Sequence, residues 1–268
     1  MKYIIGSGWW CADKTIDTRA ELLGDDEIRG QKFHQLWYEA INKYTSPEKI
    51  IIVDSCSPLK PTLNKDDARL EFVSLNVNAR HSTDHIGKFC GCVRAMQLGL
   101  EYTLKCEAEY YVYIEQDALI YGKGIIEHCI NQMNKPYMFG TGIGTPLRSQ
   151  QSLFIIRRDG ILPFLQKLNK LKQTDNEICP EEKFHLVASK GPISLLAYIS
   201  QHAKSNKLCG WLNWQCYKYL RNWEDLPIGT GRVRPLDFQA PYFYFQHGAK
   251  KELESYLELS GMEWKDSD

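Results

Sequence analysis

The chain has no surplus of charge of either sign, because its 33 lysines and arginines balance 33 aspartates and glutamates. A balanced chain has no extended basic field, so its overall charge does not predict binding to nucleic acid or to an anionic membrane. The sequence also lacks a run of about 20 apolar residues, the length that spans a bilayer. We therefore expect no membrane span and no nucleic-acid partner, and any anion should bind at a local site.

The cysteines lack the spacings of zinc and redox motifs, since the nine of them include no CxxC pair and no repeated interval. An odd number without a pattern indicates reduced thiols in a cytosolic protein. The opening MKYIIGSGWWCADK is too short and too polar to indicate a secretory signal. We therefore expect a cytoplasmic protein, in the host cytoplasm if the source is a virus.

Hydrophobic residues make up 43% of the chain, which is enough for a substantial core. Short apolar segments alternate with amphipathic ones along residues 1–120. The segments KYIIGS, EKIIIVDS, LEFVSL and YYVYI predict strands, and the periodicity of residues 28–44 and 86–104 predicts helices. This alternation is typical of a mainly parallel sheet covered by helices on both faces. No linker follows, so we predict one α/β domain, 1–268, with lobes at 1–135 and 136–268.

Acidic residues follow the ends of two predicted strands. Glu115 and Asp117 come directly after YYVYI, and Asp54 ends EKIIIVDS. Ligands of parallel sheets bind just beyond the carboxyl ends of the strands. Residues i and i+2 of an extended segment point the same way, so Glu115 and Asp117 can face one Mg²⁺ or Mn²⁺ ion. The alternative is a strand that ends in solvated acids.

The stretch HIGKFCGCVRAMQLGLEYTLKCEAEYYVYIEQDALI resembles the nucleotide-sugar glycosyltransferases of the GT-A fold, known from soluble enzymes of bacteria and large viruses. In that family a Gly-containing helix precedes a strand that ends in a DxD motif, whose acids hold a metal against the donor diphosphate. Here the motif is Glu115-Gln116-Asp117, so Glu replaces the first Asp. The resemblance covers roughly residues 3–160. It implies a GT-A-like fold in which 1–135 binds the nucleotide sugar and 136–268 forms the acceptor side and C-terminal helices.

The resemblance also implies a set of donor-binding and metal-binding residues. The loop GSGWW after the first strand matches the position that holds the base, and Asp54 matches an acid near the base or ribose. The predicted donor-binding residues are Gly6, Ser7, Gly8, Trp9, Asp54, Arg94, Glu115, Gln116 and Arg232. The predicted metal ligands are Asp117, Glu115 and His247. For Arg232, within GTGRVRP, a solvated basic loop is the alternative to phosphate contact, and for His247 the alternative is a helix cap.

Two further acids, Glu181 and Glu182 in CPEEKF, resemble the acidic pair that supplies the base in inverting GT-A enzymes. The resemblance makes Glu182, or failing it Glu181, the predicted general base. Acids are also ordinary in a first helical turn, where they complement the helix dipole. The resemblance thus favours an inverting transfer of a sugar, with UDP-sugar as donor, Mn²⁺ or Mg²⁺ as cofactor and a glycan or glycoprotein as acceptor.

Two other functions stay open at this stage. A sugar nucleotidyltransferase shares the α/β layout and metal-bound acids, but Lys14 stands late for a phosphate loop after the first strand. A sugar-binding protein without catalysis is consistent with Glu at position 115.

The segment GWLNWQCYKYLRNW is the most aromatic of the chain. At helical spacing, one stripe of it predicts a core face, consisting of Leu212, Cys216, Tyr219, Leu220 and Trp223. A second aromatic face contains Trp211, Trp214 and Tyr217. Stacking on an acceptor sugar and a two-sided core are both consistent with that second face.

Overall fold

A computed structural model of the chain describes residues 1–13, 24–25, 28, 30–143, 148–229 and 231–264. The described residues form nine strands and eight helices. The strands are β1 Tyr3–Trp9, β2 Lys49–Asp54, β3 Leu70–Ser74, β4 Tyr110–Ile114, β5 Ala118–Tyr121, β6 Tyr137–Thr141, β7 Ser149–Arg157, β8 Trp223–Asp225 and β9 Phe243–Gln246. The helices are α1 Gln31–Tyr44, α2 Gly91–Lys105, α3 Ile125–Asn131, α4 Arg158–Lys170, α5 Pro180–Ala188, α6 Ile193–His202, α7 Lys207–Tyr219 and α8 Lys250–Ser260.

Seven of the described strands form one sheet in the order β3-β2-β1-β4-β7-β6-β8. The first four strands are mutually parallel, β7 is antiparallel to both of its neighbours, and β8 is parallel to β6. The predicted class, a mixed and mainly parallel sheet flanked by helices, is confirmed. Because β7 pairs with β4, the sheet runs continuously across residue 135, the boundary between the two predicted lobes.

The central strands are apolar on both sides because helices cover both faces of the sheet. Ile5 of β1 and Ile50 of β2 pack in the core that contains the buried face of α1. Their neighbours Ile4 and Ile51 pack on the opposite side, with Ala95 of α2. Alternating side chains of a strand point to opposite faces, so a strand buried on both faces needs a continuous apolar run. The runs YII and KIIIV meet that need.

The segment Gly6 to Trp9 is part of β1 and is not the loop predicted from GSGWW. Gly6 is paired on both sides, with Ile51 of β2 and with Tyr113 of β4. A Cβ atom at Gly6 would lie 2.2 Å from Tyr111 Oη, so glycine here makes room for a buried ring. All four residues, Gly6, Ser7, Gly8 and Trp9, are therefore in a strand and not in a loop. The glycines that suggested a turn serve packing within that strand.

The helix predicted from residue 86 begins later, at Gly91. Residues 86–89 form a loop instead, in which Gly87 has a φ of +83° that side chains rarely adopt. Arg94 holds this loop, since its Nε donates to Phe89 O at 3.0 Å and its Nη2 donates to Ile86 O at 2.8 Å. The apolar residues Ile86 and Phe89 fit the helical period but lie outside the helix.

A second, two-stranded sheet joins β5 to β9 in antiparallel pairing. Helix α8 secures it, because Tyr256 Oη donates to Ile120 O at 2.7 Å. The small sheet places the end of β9 beside the start of β5, which immediately follows β4. No helix in the described part of the chain is long and apolar enough to cross a membrane.

Candidate functional site

A cleft opens at the carboxyl ends of β1 and β4, where the strand order changes direction. From β1 the chain continues to β2 and β3 on one side, whereas β4 lies on the other side of β1. Ligands of open α/β sheets bind at such a point, because the connections diverge and leave a crevice. The residues that line the cleft include Trp9, Trp10, Arg80, Gly91, Cys92, Glu115, Gln116, Asp117 and Gln151.

The predicted acid pair lies at this cleft, held by the backbone of β7 and by the end of β9. The Glu115 N–H donates to Ser152 O at 2.8 Å, which fixes the chain as it leaves β4. The Gln246 side-chain amide donates to both carboxylates, to Glu115 and, at 3.0 Å, to Asp117 Oδ1. His247 follows, with its Nε2 3.4 Å from Asp117 Oδ2. The three predicted metal ligands are thus brought together.

Burial and the neighbouring Asp117 raise the pKa of Glu115 to about 8. Arg232 acts in the opposite direction but does not outweigh them. A carboxyl group in this state carries a proton near neutral pH, because two like charges in a desolvated place repel each other. Any added positive charge at the pair would favour loss of that proton.

Gln116 connects the acid pair to the end of β1. Its Oε1 accepts from the Trp10 N–H at 2.6 Å, and its Nε2 donates to Trp10 O at 2.9 Å. Trp9 is buried beside it, with its Nε1 donating to Leu59 O at 2.8 Å. These bonds fix the two strand ends relative to each other, so the floor of the cleft is rigid between β1 and β4.

Arg232 lies between the acid pair and the start of α5. Its Nε donates to Gln246 Oε1 at 2.8 Å, and its Nη1 lies 3.7 Å from Glu181 Oε1. The two candidates for the general base, Glu181 and Glu182, therefore have different surroundings. Glu181 lies on the side of the acid pair, with Arg232 between them. We call Glu115, Asp117, Glu181 and Arg232 the acid cluster; in it the guanidinium lies near the carboxyl groups of Glu115 and Glu181.

Glu182 points away from that cluster, toward α6 and α7. Its Oε1 accepts from Ser200 Oγ at 2.9 Å and from Asn213 Nδ2 at 3.4 Å. Burial alone would raise its pKa, but His185 and the Ser200 hydroxyl outweigh burial and lower the pKa to about 2. A carboxylate held so firmly in its ionised form is a weak proton acceptor near neutral pH.

The acids at the cleft suit a hard divalent cation. Carboxylate oxygens are the ligands that Mg²⁺ and Mn²⁺ prefer, and such ions are commonly held by one or two carboxylates together with substrate phosphates. Among the described residues, no group of three or more His, Cys, Asp or Glu side chains has an arrangement that could hold a metal ion. The observation that favours a cation is the acid pair itself, since the side chains of Glu115 and Asp117 converge on one Gln246 amide beside the cleft.

Five predicted donor-binding residues are not among the described residues that line the cleft, namely Gly6, Ser7, Asp54, Arg94 and Arg232. Asp54 is fully buried, and its carboxylate binds Lys60, Ser74 Oγ and, at 2.9 Å, the Ser57 N–H. Arg94 is engaged with the loop before α2, as described above. Both side chains stabilise loops beside the cleft, whereas the neighbours of Asp54, Val53 and Ser55, do line it.

Several cleft residues escaped sequence reasoning. Arg80 lies on an exposed loop at the cleft, with a φ of +63°, and its carbonyl accepts from the Gly91 N–H at 2.9 Å. The N-terminus of α2 also faces the cleft through Gly91 and Cys92. Gln246 stood next to the predicted His247, and a polar residue ending the apolar run YFYF was the signal for it. Gln151 offered a similar signal, because it lies in the buried polar run SQQS of a central strand.

No protein-family model matches the chain, and no curated protein matches it. The chain is similar to a mannosyltransferase of Pyrobaculum calidifontis solved with GDP-Man and Mn²⁺, at 11% identity and a TM-score of 0.42, over 82% of this chain and 69% of that one. It is also similar to a putative glucose-1-phosphate thymidylyltransferase of Bacillus anthracis, at 9% identity and a TM-score of 0.43, over 97% and 94%. A third similar structure is the glycosyltransferase GlyE of Streptococcus pneumoniae, at 8% identity and a TM-score of 0.44, over 98% and 62%. Two of these three structures are glycosyltransferases, and the other is a putative thymidylyltransferase.

Proposed function

We propose that this chain is a metal-assisted glycosyltransferase that moves a sugar from a nucleoside-diphosphate sugar, with UDP-sugar as the expected donor, to a glycan or glycoconjugate. The observation that carries the proposal is the meeting of Glu115 and Asp117 with Gln246 and His247 at the strand-order switch of a mainly parallel sheet. Such a site offers oxygen ligands and a neighbouring cleft in one place.

The other wall of the cleft suits the donor diphosphate. Arg80 supplies a guanidinium, whose fork matches phosphate oxygens. The N-terminus of α2 points into the cleft at Gly91 and Cys92, and the positive end of a helix dipole favours an anion. A diphosphate between this wall and the acid pair would have cationic groups on one side and a bound cation on the other.

The residues that would hold the cation are Asp117, with Glu115 and His247 beside it. When bound, a divalent cation neutralises the diphosphate as negative charge develops on the leaving group. Gln246 positions both carboxylates through one amide, and it is held in turn by Arg232. Gln116 keeps the acid pair in register with β1, where the nucleoside end of the donor would lie near Trp9 and Trp10.

The base we propose is Glu181, in place of the predicted first choice Glu182. An acceptor hydroxyl oxygen attacks the anomeric carbon, the bond from that carbon to the diphosphate oxygen breaks with its electron pair, and Glu181 takes the hydroxyl proton. Glu181 is favoured because it lies on the side of the acid pair, next to Arg232. Glu182 instead accepts hydrogen bonds from Ser200 and Asn213. Attack opposite the leaving group inverts the anomeric configuration.

The direct test is release of nucleoside diphosphate from a panel of UDP-, GDP- and CDP-sugars, with Mn²⁺ and with EDTA. We expect release from one donor class, lost in EDTA and reduced at least about 100-fold in Asp117→Asn, since a cation at such a site contributes several kcal/mol. Asp159→Asn is the matched control, because Asp159 pairs with Arg157 at the opposite end of the strands, beside the first residue of β4.

Two other outcomes would replace the proposal. Pyrophosphate release from a nucleoside triphosphate and a sugar phosphate would make the chain a nucleotidyltransferase. Saturable binding of nucleotide sugars without turnover of any of them would make it a binding protein.

A further inference from the structure

The outer side of α6 and α7 exposes an unusual set of large apolar side chains. Leu208 is 64% exposed, Trp211 58% and Trp214 53%, all on α7. Leu195 and Tyr198 on α6 are exposed to a similar degree. We name these five residues the α6–α7 face. Large apolar groups gathered on one surface mark an interaction site more often than isolated ones do.

The two helices pack against each other and on one core. Ile193, Leu196 and Ala197 of α6 are buried in the same cluster against which Cys216 and Tyr217 of α7 pack. The sequence left a two-sided core open for α7, and the exposure of Trp211 and Trp214 contradicts that alternative. Tyr219, which the sequence placed in the core stripe, is 68% exposed. The helix is buried on a narrower face than its aromatic content indicates.

The stretch of sequence that contains this face carries charge of one sign. The sequence has no aspartate or glutamate from residue 183 to residue 223, although the whole chain is balanced. The same stretch contains six cationic side chains, and those of Lys190, Lys204, Lys207 and Lys218 are exposed. The balance of the whole chain therefore conceals a local basic surface.

We propose that the α6–α7 face docks on the surface of an anionic phospholipid bilayer. Tryptophan, tyrosine and leucine with flanking lysines are the composition of helices that lie in the membrane interface. The lysines would meet lipid phosphates while the apolar side chains enter the boundary between headgroups and acyl chains. Nothing in this proposal requires the glycosyltransferase activity.

Two other occupants fit the face less well. A sugar chain would stack on the aromatic rings but has no use for the exposed leucines 195 and 208. A second copy of the chain would bring the same basic surface against itself in a two-fold interface, and like charges would oppose that contact.

The experiment is flotation of the purified chain with vesicles of phosphatidylcholine alone and of phosphatidylcholine mixed with phosphatidylglycerol. We expect binding to the anionic vesicles only, weakened by added salt because the attraction is screened. Leu208→Ser and Trp211→Ser should each weaken binding about tenfold, since each removes one apolar side chain from the bilayer. Lys207→Gln and Lys218→Gln should each weaken it about fivefold.

The matched control is Leu162→Ser on α4, because Leu162 is 53% exposed but lies outside the face. Unchanged melting temperatures would show that all variants fold. Absence of binding to anionic vesicles at low salt would overturn the proposal, and so would an equal loss in Leu162→Ser. Sedimentation showing a dimer that Trp211→Ser dissociates, without vesicle binding, would assign the face to self-association instead.

Discussion

Two buried charged clusters lie near the cleft, and they handle their charge in opposite ways. Lys183 and Asp175 are both fully buried and pair one to one, with Nζ 2.6 Å from Oδ1. The cluster of Glu115, Asp117 and Glu181 instead contains three acidic groups, and the Arg232 guanidinium lies near two of them, Glu115 and Glu181. The first cluster needs nothing further, whereas the second has a surplus of negative charge.

The contrast distinguishes an ion pair that stabilises the fold from a cluster that is suited to bind a ligand. Lys183 also donates to Gln173 O at 2.8 Å, and Asp175 accepts from the Cys90 N–H at 2.6 Å, so the pair joins α5 to the start of α2. Every charge there is compensated by the protein itself. In the acid cluster, burial and the neighbouring Asp117 raise the pKa of Glu115, and perturbed acids of this kind are common where a ligand binds.

The largest effect should follow from replacing Glu181, the proposed proton acceptor in the cluster with a surplus of negative charge. Glu181→Gln keeps the size of the side chain but cannot take a proton, so turnover should fall by roughly 10² to 10⁴ with donor affinity retained. Glu182→Gln is the matched control and should lose much less. Steady-state kinetics of both variants, with NMR of the product anomer, measure the effect and the stereochemistry. A greater loss in Glu182→Gln, or a retained anomer, would contradict the assignment.

A substitution in the Lys183–Asp175 pair should instead lower the stability of the fold. Lys183→Met leaves the Asp175 carboxylate buried without its cation, which should lower the free energy of unfolding by about 3–5 kcal/mol. The double variant Lys183→Met/Asp175→Asn removes both charges and keeps an acceptor for the Cys90 N–H, so it should recover most of that loss. Urea denaturation of the four proteins gives the cycle. If the single and double variants are equally unstable, the ion pair is not the cause.

An intermediate effect should come from adding charge to the surplus cluster. Gln246→Glu replaces the shared amide donor with another carboxylate, and in EDTA we expect a loss of about 1–3 kcal/mol in the free energy of unfolding. Mn²⁺ should then raise the melting temperature more in this variant than in the unchanged protein. The control Gln239→Glu adds the same charge on an exposed loop residue. An identical response to Mn²⁺ in both variants would place the cation elsewhere.

The smallest effect concerns a third way of burying an ionisable group, which is to keep it neutral. Burial lowers the pKa of His34 to about 4, and its ring stacks on Trp37. The unfolded chain binds this proton near pH 6.5, so stability is full above that pH and declines as the pH falls toward 4. Between pH 7 and pH 5 the loss should be about 1–2 kcal/mol, and His34→Phe should remove it. Denaturation curves at both pH values measure the difference, and an unchanged slope with pH would contradict it.

The sequence predicted the elements whose pattern is local. The run YYVYI defined β4 at its observed bounds, and the acids after it were correctly placed at the carboxyl end of a strand. The strand predicted from EKIIIVDS was equally close to the observed β2, Lys49–Asp54. In these cases the signal lies within a few residues, so no knowledge of distant contacts is needed.

Assembly of the site depended on contacts that no local pattern carries. Gln246 reaches Glu115 across 131 positions of sequence, through pairing of two short strands, β5 and β9. Gly6 was mistaken for a turn residue because the ring of Tyr111, which needs its missing Cβ, lies on another strand. Glu181 and Glu182 are adjacent in sequence and differ only in which distant side chains meet them.

The pairing of β5 with β9 also sets an order of assembly during synthesis. All seven strands of the large sheet are complete by Asp225, whereas Gln246 and His247 lie later in the chain. Synthesis runs from the N-terminus, so every strand of the sheet is made before the amide and imidazole neighbours of the acid pair. A product that ended after β8 would lack β9, the partner of β5, and the two side chains that contact the acid pair. The contacts that surround the acid pair are thus the last part of the site to be synthesised.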